Sequence, residues 1–260
     1  MTLAVWTTAL LLTLGEGPAP SKPAESKSPP SATTVARLKD SSAMALLDRM
    51  CDRLRAAKTF TVRGQVSLEL PVADGTLATF VNDYRTAVRR PDGLAARRSG
   101  DLADFRFAYD GKAMAVYVPG KGTWGTTSAP ATLDAMLPVA GEEAGLNMPF
   151  DELLVSDPFA AITVGVTKAV LTKPATIKGK KVEHLVLLSP QLRIEYWIDP
   201  STALPARSLV VYVDQPLQPH FQVEYAEWKL DPELPASTFA LTKPKGATQV
   251  DFREAASEFQ

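Results

Sequence analysis

Cysteine is almost missing from this chain. Cys51 stands alone, so no internal disulfide can form and no multi-cysteine metal site can be built. Histidine is nearly as scarce: His184 and His220 are the only two, which leaves little material for metal binding or proton transfer. A strong excess of one charge is also lacking. The formal net charge is -1, whereas a nucleic-acid binder carries a marked basic surplus. The apolar stretch from Leu3 to Leu14 is shorter than the ~20 residues of a membrane span and has the size of a signal-peptide core. No cysteine stands directly after it, so a lipid-anchored lipoprotein is not expected. Residues 1–17 are therefore expected to be a leader, although the segment before the apolar run holds no Lys or Arg. Residues 18–40, rich in Pro, Ser, Ala and Lys, read as a flexible spacer. One domain is expected over 41–254, with 255–260 as a tail.

What remains is rich in short β-forming segments. From Val182 to Leu230 the chain reads as a continuous antiparallel ribbon, turned at Ser189-Pro190, at Asp199-Pro200 and between Asp214 and Pro219. Leu192, Ile194, Tyr196 and Ile198 alternate with Arg193 and Glu195, giving one dry face and one mostly wet face. Upstream, Met44, Leu47, Cys51 and Leu54 form a helical stripe from about Ala43 to Ala57, capped by Ser41 or Ser42. Cys51 on that stripe reads as a small buried hydrophobe. Phe60, Val62, Val66, Leu68 and Leu70 recur at every second position, with Gly64 marking a bulge or bend. Asp74-Gly75, Asp92-Gly93 and Asp110-Gly111 signal successive hairpins. Between about 128 and 162 short apolar-faced helices intervene, the first carrying Leu133, Met136 and Leu137 until Pro138 stops it. Val164 to Ile177 and Lys180 to Leu188 read as one further hairpin. The expected class is mainly β (α+β): a strongly curved antiparallel sheet or half-open barrel of about ten to eleven strands, with an N-terminal helix and a helical lid insertion.

Signs of catalysis are weak. No Gly-x-Ser-x-Gly string occurs, His184 falls out of phase with Leu185 and Leu187, and His220 lies beside a turn. Gly120-Lys121-Gly122-Thr123 lacks the spacing of a phosphate loop and reads as an exposed loop. Glu142-Glu143 and Asp151-Glu152 are adjacent acids around the helical insertion; neighbours along a helix or loop diverge rather than face each other, and helix starts favour acids. Arginines from Arg85 to Arg106 alternate with aspartates. They read as a solvated strand face, or alternatively as a patch for anionic head groups or an acidic partner. No catalytic residue, metal or cofactor is expected. The apolar set comprises Phe60, Val62, Val66, Leu68, Tyr84, Phe105, Phe107, Met114 and Tyr196, with Leu133, Met136, Leu137, Leu153 and Leu154 from the insertion. It is either a packed core or the lining of a ligand site.

Several strings resemble those of a known family. They are Phe107-Ala108-Tyr109-Asp110-Gly111-Lys112 with Val116-Tyr117-Val118-Pro119, then Thr132-Leu133-Asp134-Ala135-Met136-Leu137. Asp151-Glu152-Leu153-Leu154 with Asp157-Pro158, and Tyr196-Trp197-Ile198-Asp199-Pro200 with Leu204-Pro205-Ala206-Arg207, complete the set. Together they resemble a bacterial family of predicted exported proteins of unknown function, similar in fold to the lipoprotein carriers LolA and LolB. The resemblance spans about Ala43 to Gly246. It implies a half-open barrel with a helical lid over an apolar cavity that accepts acyl chains, and a lid-locking arginine for which Arg63 is the nearest candidate. Related domains in envelope-stress regulators bind lipids or a membrane-protein partner. The expectation is a non-enzymatic periplasmic or secreted binding or carrier protein for a lipid, acyl chain, lipidated protein or other hydrophobic ligand. A regulatory module contacting an envelope membrane protein, as in RseB, is the alternative, and an envelope hydrolase a distant third. No nucleic-acid partner is expected, and membrane contact is at most transient or through an uncleaved leader.

Overall fold

The computed structural model describes residues 39–146 and 150–257. The expected leader, and the spacer up to residue 38, lie outside them. Helix α1 (Ser41–Ala56) begins where the Asp40 carboxylate accepts from the Ser42 amide at 2.8 Å, closing one of the donors a helix start leaves open. Ala43, Leu46, Leu47, Met50, Cys51 and Leu54 are its buried residues, at the spacing of a single helical stripe. Desolvation pushes the Cys51 thiol up to about 12, so it is an inert part of that stripe.

Six strands follow: β1 (Thr59–Pro71), β2 (Leu77–Arg89), β3 (Gly93–Gly100), β4 (Phe105–Tyr109), β5 (Ala113–Val118) and β6 (Thr123–Ser128). Helices α2 (Leu133–Ala144) and α3 (Pro158–Thr163) form the insertion, with a 3-10 turn at Asp151–Leu153 between them. The chain then makes β7 (Lys168–Leu171), β8 (Ala175–Ile177), β9 (Lys180–Leu188), β10 (Leu192–Asp199), β11 (Leu204–Tyr212), β12 (His220–Leu230) and β13 (Thr248–Gln249), and ends in α4 (Phe252–Ser257). Two meanders, β1–β6 and β9–β12, are joined where β1 pairs antiparallel with β12. The result is one curved, unclosed sheet of thirteen strands, more than the ten or eleven expected. The surplus comes from β6, whose Thr, Gly and Ser content hides it, and from the very short β8 and β13.

Gly64 does mark a bulge. The β1–β12 register shifts between Arg63 and Gly64, and a Cβ at Gly64 would lie 2.6 Å from the Glu224 carbonyl oxygen. Pro138, by contrast, does not end its helix. Thr132 caps α2, and the helix runs through Pro138 to Ala144, because Ala140 beyond the proline is buried in the core. The Val164 to Ile177 arm, expected as one strand of a hairpin, divides instead into two short strands, β7 and β8, which both pair with β9. At the C-terminus, packing continues past residue 254: Ala255 and Ala256 are fully buried, so α4 belongs to the domain rather than to a tail.

The helices fill the concave face from both sides. α1 packs on β7, β9 and β11, while α4 packs on β5, β6 and α2.

Candidate functional site

On the concave side the register lines up successive cross-strand rows. Asn82, Val66, Val223, Ser208, Tyr196 and Leu185 are directly opposed across six strands, and every one is buried. Two residues further along, Phe80, Leu68, Phe221, Val210 and Ile194 form the next row on the same face. All five are only half-buried. The concave face is thus sealed at one end and greasy but part-open at the other.

A polar cluster stands at the boundary. The Asp151–Leu153 turn brings Glu152 over the sheet, and the Tyr196 hydroxyl donates to Glu152 Oε1 at 2.8 Å. Beside it the Tyr225 hydroxyl and Ser208 Oγ lie 3.0 Å apart, and Phe150, at φ 55°, packs edge-on to Tyr225 at 5.7 Å. Desolvation, then the neighbouring Asp151 charge, pushes the Glu152 carboxyl up to about 7. Desolvation likewise raises Asp151. The Tyr196, Tyr212 and Tyr225 hydroxyls are raised too, by burial first and then by Glu152.

The expected cavity lining is placed as follows. Phe60, Val62, Val66, Tyr84, Phe105, Phe107, Met114, Leu133, Met136, Leu137, Leu153, Leu154 and Tyr196 are buried in one continuous core, and Leu68 is packed against it half-buried. Among the described residues the best-formed hollows measure about 170 Å³, beside Arg90, Leu133 and Asp134, and about 150 Å³, between Ala108, Ala115 and Leu241. Ligand pockets run to roughly 300–1,000 Å³. Around these positions the side chains of α1, α2 and the insertion pack into the same core.

Arg90, just past β2, is the residue that sequence reasoning missed. It donates through Nη1 to the Leu154 carbonyl at 2.6 Å and to that of Val155, and through Nη2 to the Leu153 carbonyl at 3.0 Å. Its guanidinium also lies 5.6 Å from the centre of the Phe60 ring. Arg63 does nothing of the kind: it is exposed and pairs with Glu227. The one available signal was phase, since residue 90 shares its side of the strand with the apolar Tyr84 and Val88.

A family model described as "Predicted periplasmic protein (DUF2092)" matches residues 43–253. The chain belongs to DUF2092. That membership places it in the periplasm. A comparison with curated proteins found no match. Solved structures similar to this DUF2092 chain include the Mycobacterium tuberculosis lipoprotein LppX, at 14% identity over 75% of this chain and 99% of that one, with a TM-score of 0.45. The Pseudomonas aeruginosa MucA/MucB complex is similar at 14% identity and a TM-score of 0.43, over 81% of this chain and 64% of that one. The chain therefore spans less than two thirds of that relative's length. A LolA superfamily protein from Nitrosomonas europaea is similar at 12% identity, over 76% of this chain and 97% of that one, with a TM-score of 0.31.

On the outer face of this DUF2092 domain, His184 contacts Thr172 Oγ1 through Nδ1 and Glu195 Oε2 through Nε2, both at 2.7 Å. Its ring is stacked on Trp197 at 4.3 Å. These residue types could make a nucleophile relay, yet neither hollow borders them. What the cluster does is tie the chain after β7 to β9 and β10. His220 pairs with Glu69 at 2.8 Å. Glu142 is exposed, and the side chain of Glu143 lies outside the described part.

Proposed function

We propose that this DUF2092 protein is a non-enzymatic periplasmic binding protein for an acyl chain or similar hydrophobic ligand. The ligand lies first along the half-buried row Phe80, Leu68, Phe221, Val210 and Ile194. The observation that carries this reading is that row itself: five apolar side chains in register on a concave surface, half-buried where the adjoining row is sealed. Each methylene removed from water there contributes about 0.8 kcal/mol. Deeper occupation of the positions named from sequence, such as Val66, Tyr84 and Leu154, requires the Asp151–Leu153 turn and α3 to swing away from the sheet. Arg90 is the clamp that holds them down, and the Glu152–Tyr196 bond is a second latch. Organic extraction of the purified protein followed by mass spectrometry tests the proposal. A reproducible acyl-bearing species is expected. Consistently empty protein that also fails to take up apolar fluorescent probes contradicts it.

A further inference from the structure

The outer face carries a row of cations unconnected with the concave side. Register sets Arg63 opposite Arg85, Arg85 opposite Arg97, and Arg97 opposite Arg106. The row continues through Tyr117 to Trp124. All four arginines are exposed and both aromatics are half-buried. Arg63 is neutralised by Glu227. Among the described residues, Arg85, Arg97 and Arg106 enter no ion pair.

Directly opposed cross-strand side chains stand about 5 Å apart, and like charges so placed destabilise a sheet. Three guanidinium groups therefore share a strip roughly 10 Å wide. Arg97, in the middle, registers the crowding: desolvation first, then the charges of Arg106 and Arg85, hold it below its ordinary value. The neighbouring row on one side, Ala87, Ala95, Ala108 and Ala115, is made of small side chains, so the arginines stand clear of it; the row on the other side holds Gln65, Asp83 and Ser99, a single acid against three arginines. At the end of the strip the Arg106 guanidinium sits 5.9 Å from the centre of the Tyr117 ring.

We propose that this strip is a docking surface for an anionic phospholipid membrane. Guanidinium groups bind lipid phosphates in a bidentate way, and Tyr and Trp settle at the level of the head groups. The net charge of the chain is -1, so the attraction is local to the strip. An extended acidic peptide is the less suitable occupant. The strands beneath are interior to the sheet, with their backbone groups already paired, so a peptide has no edge on which to add as a strand. Only side chains are on offer, which suits a diffuse charged surface. Docking through the outer face leaves the concave row turned away from the lipid surface, and the inference stands whether or not that row binds a ligand.

Co-sedimentation of the full chain with vesicles tests the surface directly. Vesicles of phosphatidylcholine with about one third phosphatidylglycerol should capture the protein, and pure phosphatidylcholine should not. Replacing Arg85, Arg97 and Arg106 together with glutamine should weaken capture about fivefold per charge, or on the order of 100-fold in all. Lysine at the same three positions should retain most of it. Unchanged capture of the glutamine variant overturns the proposal, as does absence of capture at low salt. Capture of the unaltered chain that is insensitive to salt between about 50 and 500 mM overturns it too, without needing any variant to fold. Charge-dependent binding of poly-glutamate with no vesicle binding would assign the strip to a protein partner instead.

Discussion

Glu152 hangs from the insertion with its carboxyl held against the Tyr196 hydroxyl, in surroundings that favour its neutral form. Its value is raised from the ordinary 4.5 to about 7. The stability tied to this group is therefore complete below the ordinary value and is lost as pH rises through the folded one. Glu152→Gln keeps an oxygen for Tyr196 but cannot ionise. Relative to that variant, the wild type should lose roughly 1–3 kcal/mol between mildly acidic and neutral pH, read from urea midpoints across the range. Parallel curves for the two proteins would contradict the assignment. Sequence alone presents Glu152 as an acid near a helix start, favoured there by the helix dipole. Its partner lies 44 residues away in the chain, and only the folded sheet shows that the two meet.

At the scale of elements, the insertion is held to the sheet by few but strong bonds, with Arg90 satisfying three consecutive carbonyls. Hydrogen bonds from a charged donor contribute about 1.5–3 kcal/mol. Arg90→Met should lower stability by about 2 kcal/mol and should speed amide exchange in residues 151–163 before it does so in β1 or β12. Uniform exchange across the domain would mean that Arg90 supports the whole fold rather than clamping one element. Locally encoded elements were legible: the α1 stripe, the Gly64 bulge, the hairpins at Asp74-Gly75 and Asp110-Gly111, and the ribbon of β9 to β12. Elements that depend on distant partners were not. β6 lacks an apolar pattern and is a strand because β5 pairs with it. Pro138 is tolerated within α2 because the helix gains burial of Ala140 beyond it.

For the molecule as a whole, the antiparallel β1–β12 pair joins the first strand to the last long one and turns two meanders into one curved surface. No local signal announces that pairing, and it is what aligns Leu68 with Phe221 and creates the half-buried row. Sequence periodicity correctly identified which residues face inward, but it has no measure of volume. Residues that read as either core or cavity lining, such as Phe107 and Met136, are buried members of one continuous core. The half-exposed part of the concave face lies at the far strand ends, where the sequence pattern singles out Leu68 alone. The measurement that tests this placement most directly is photo-crosslinking of a diazirine-bearing fatty acid to the purified chain, with peptide mapping. Label concentrated on the far ends of β1, β2, β11 and β12, at Leu68, Phe80, Val210 and Phe221, is the result the account predicts. Label confined to the outer face, or scattered without saturation as fatty acid is raised, would contradict it.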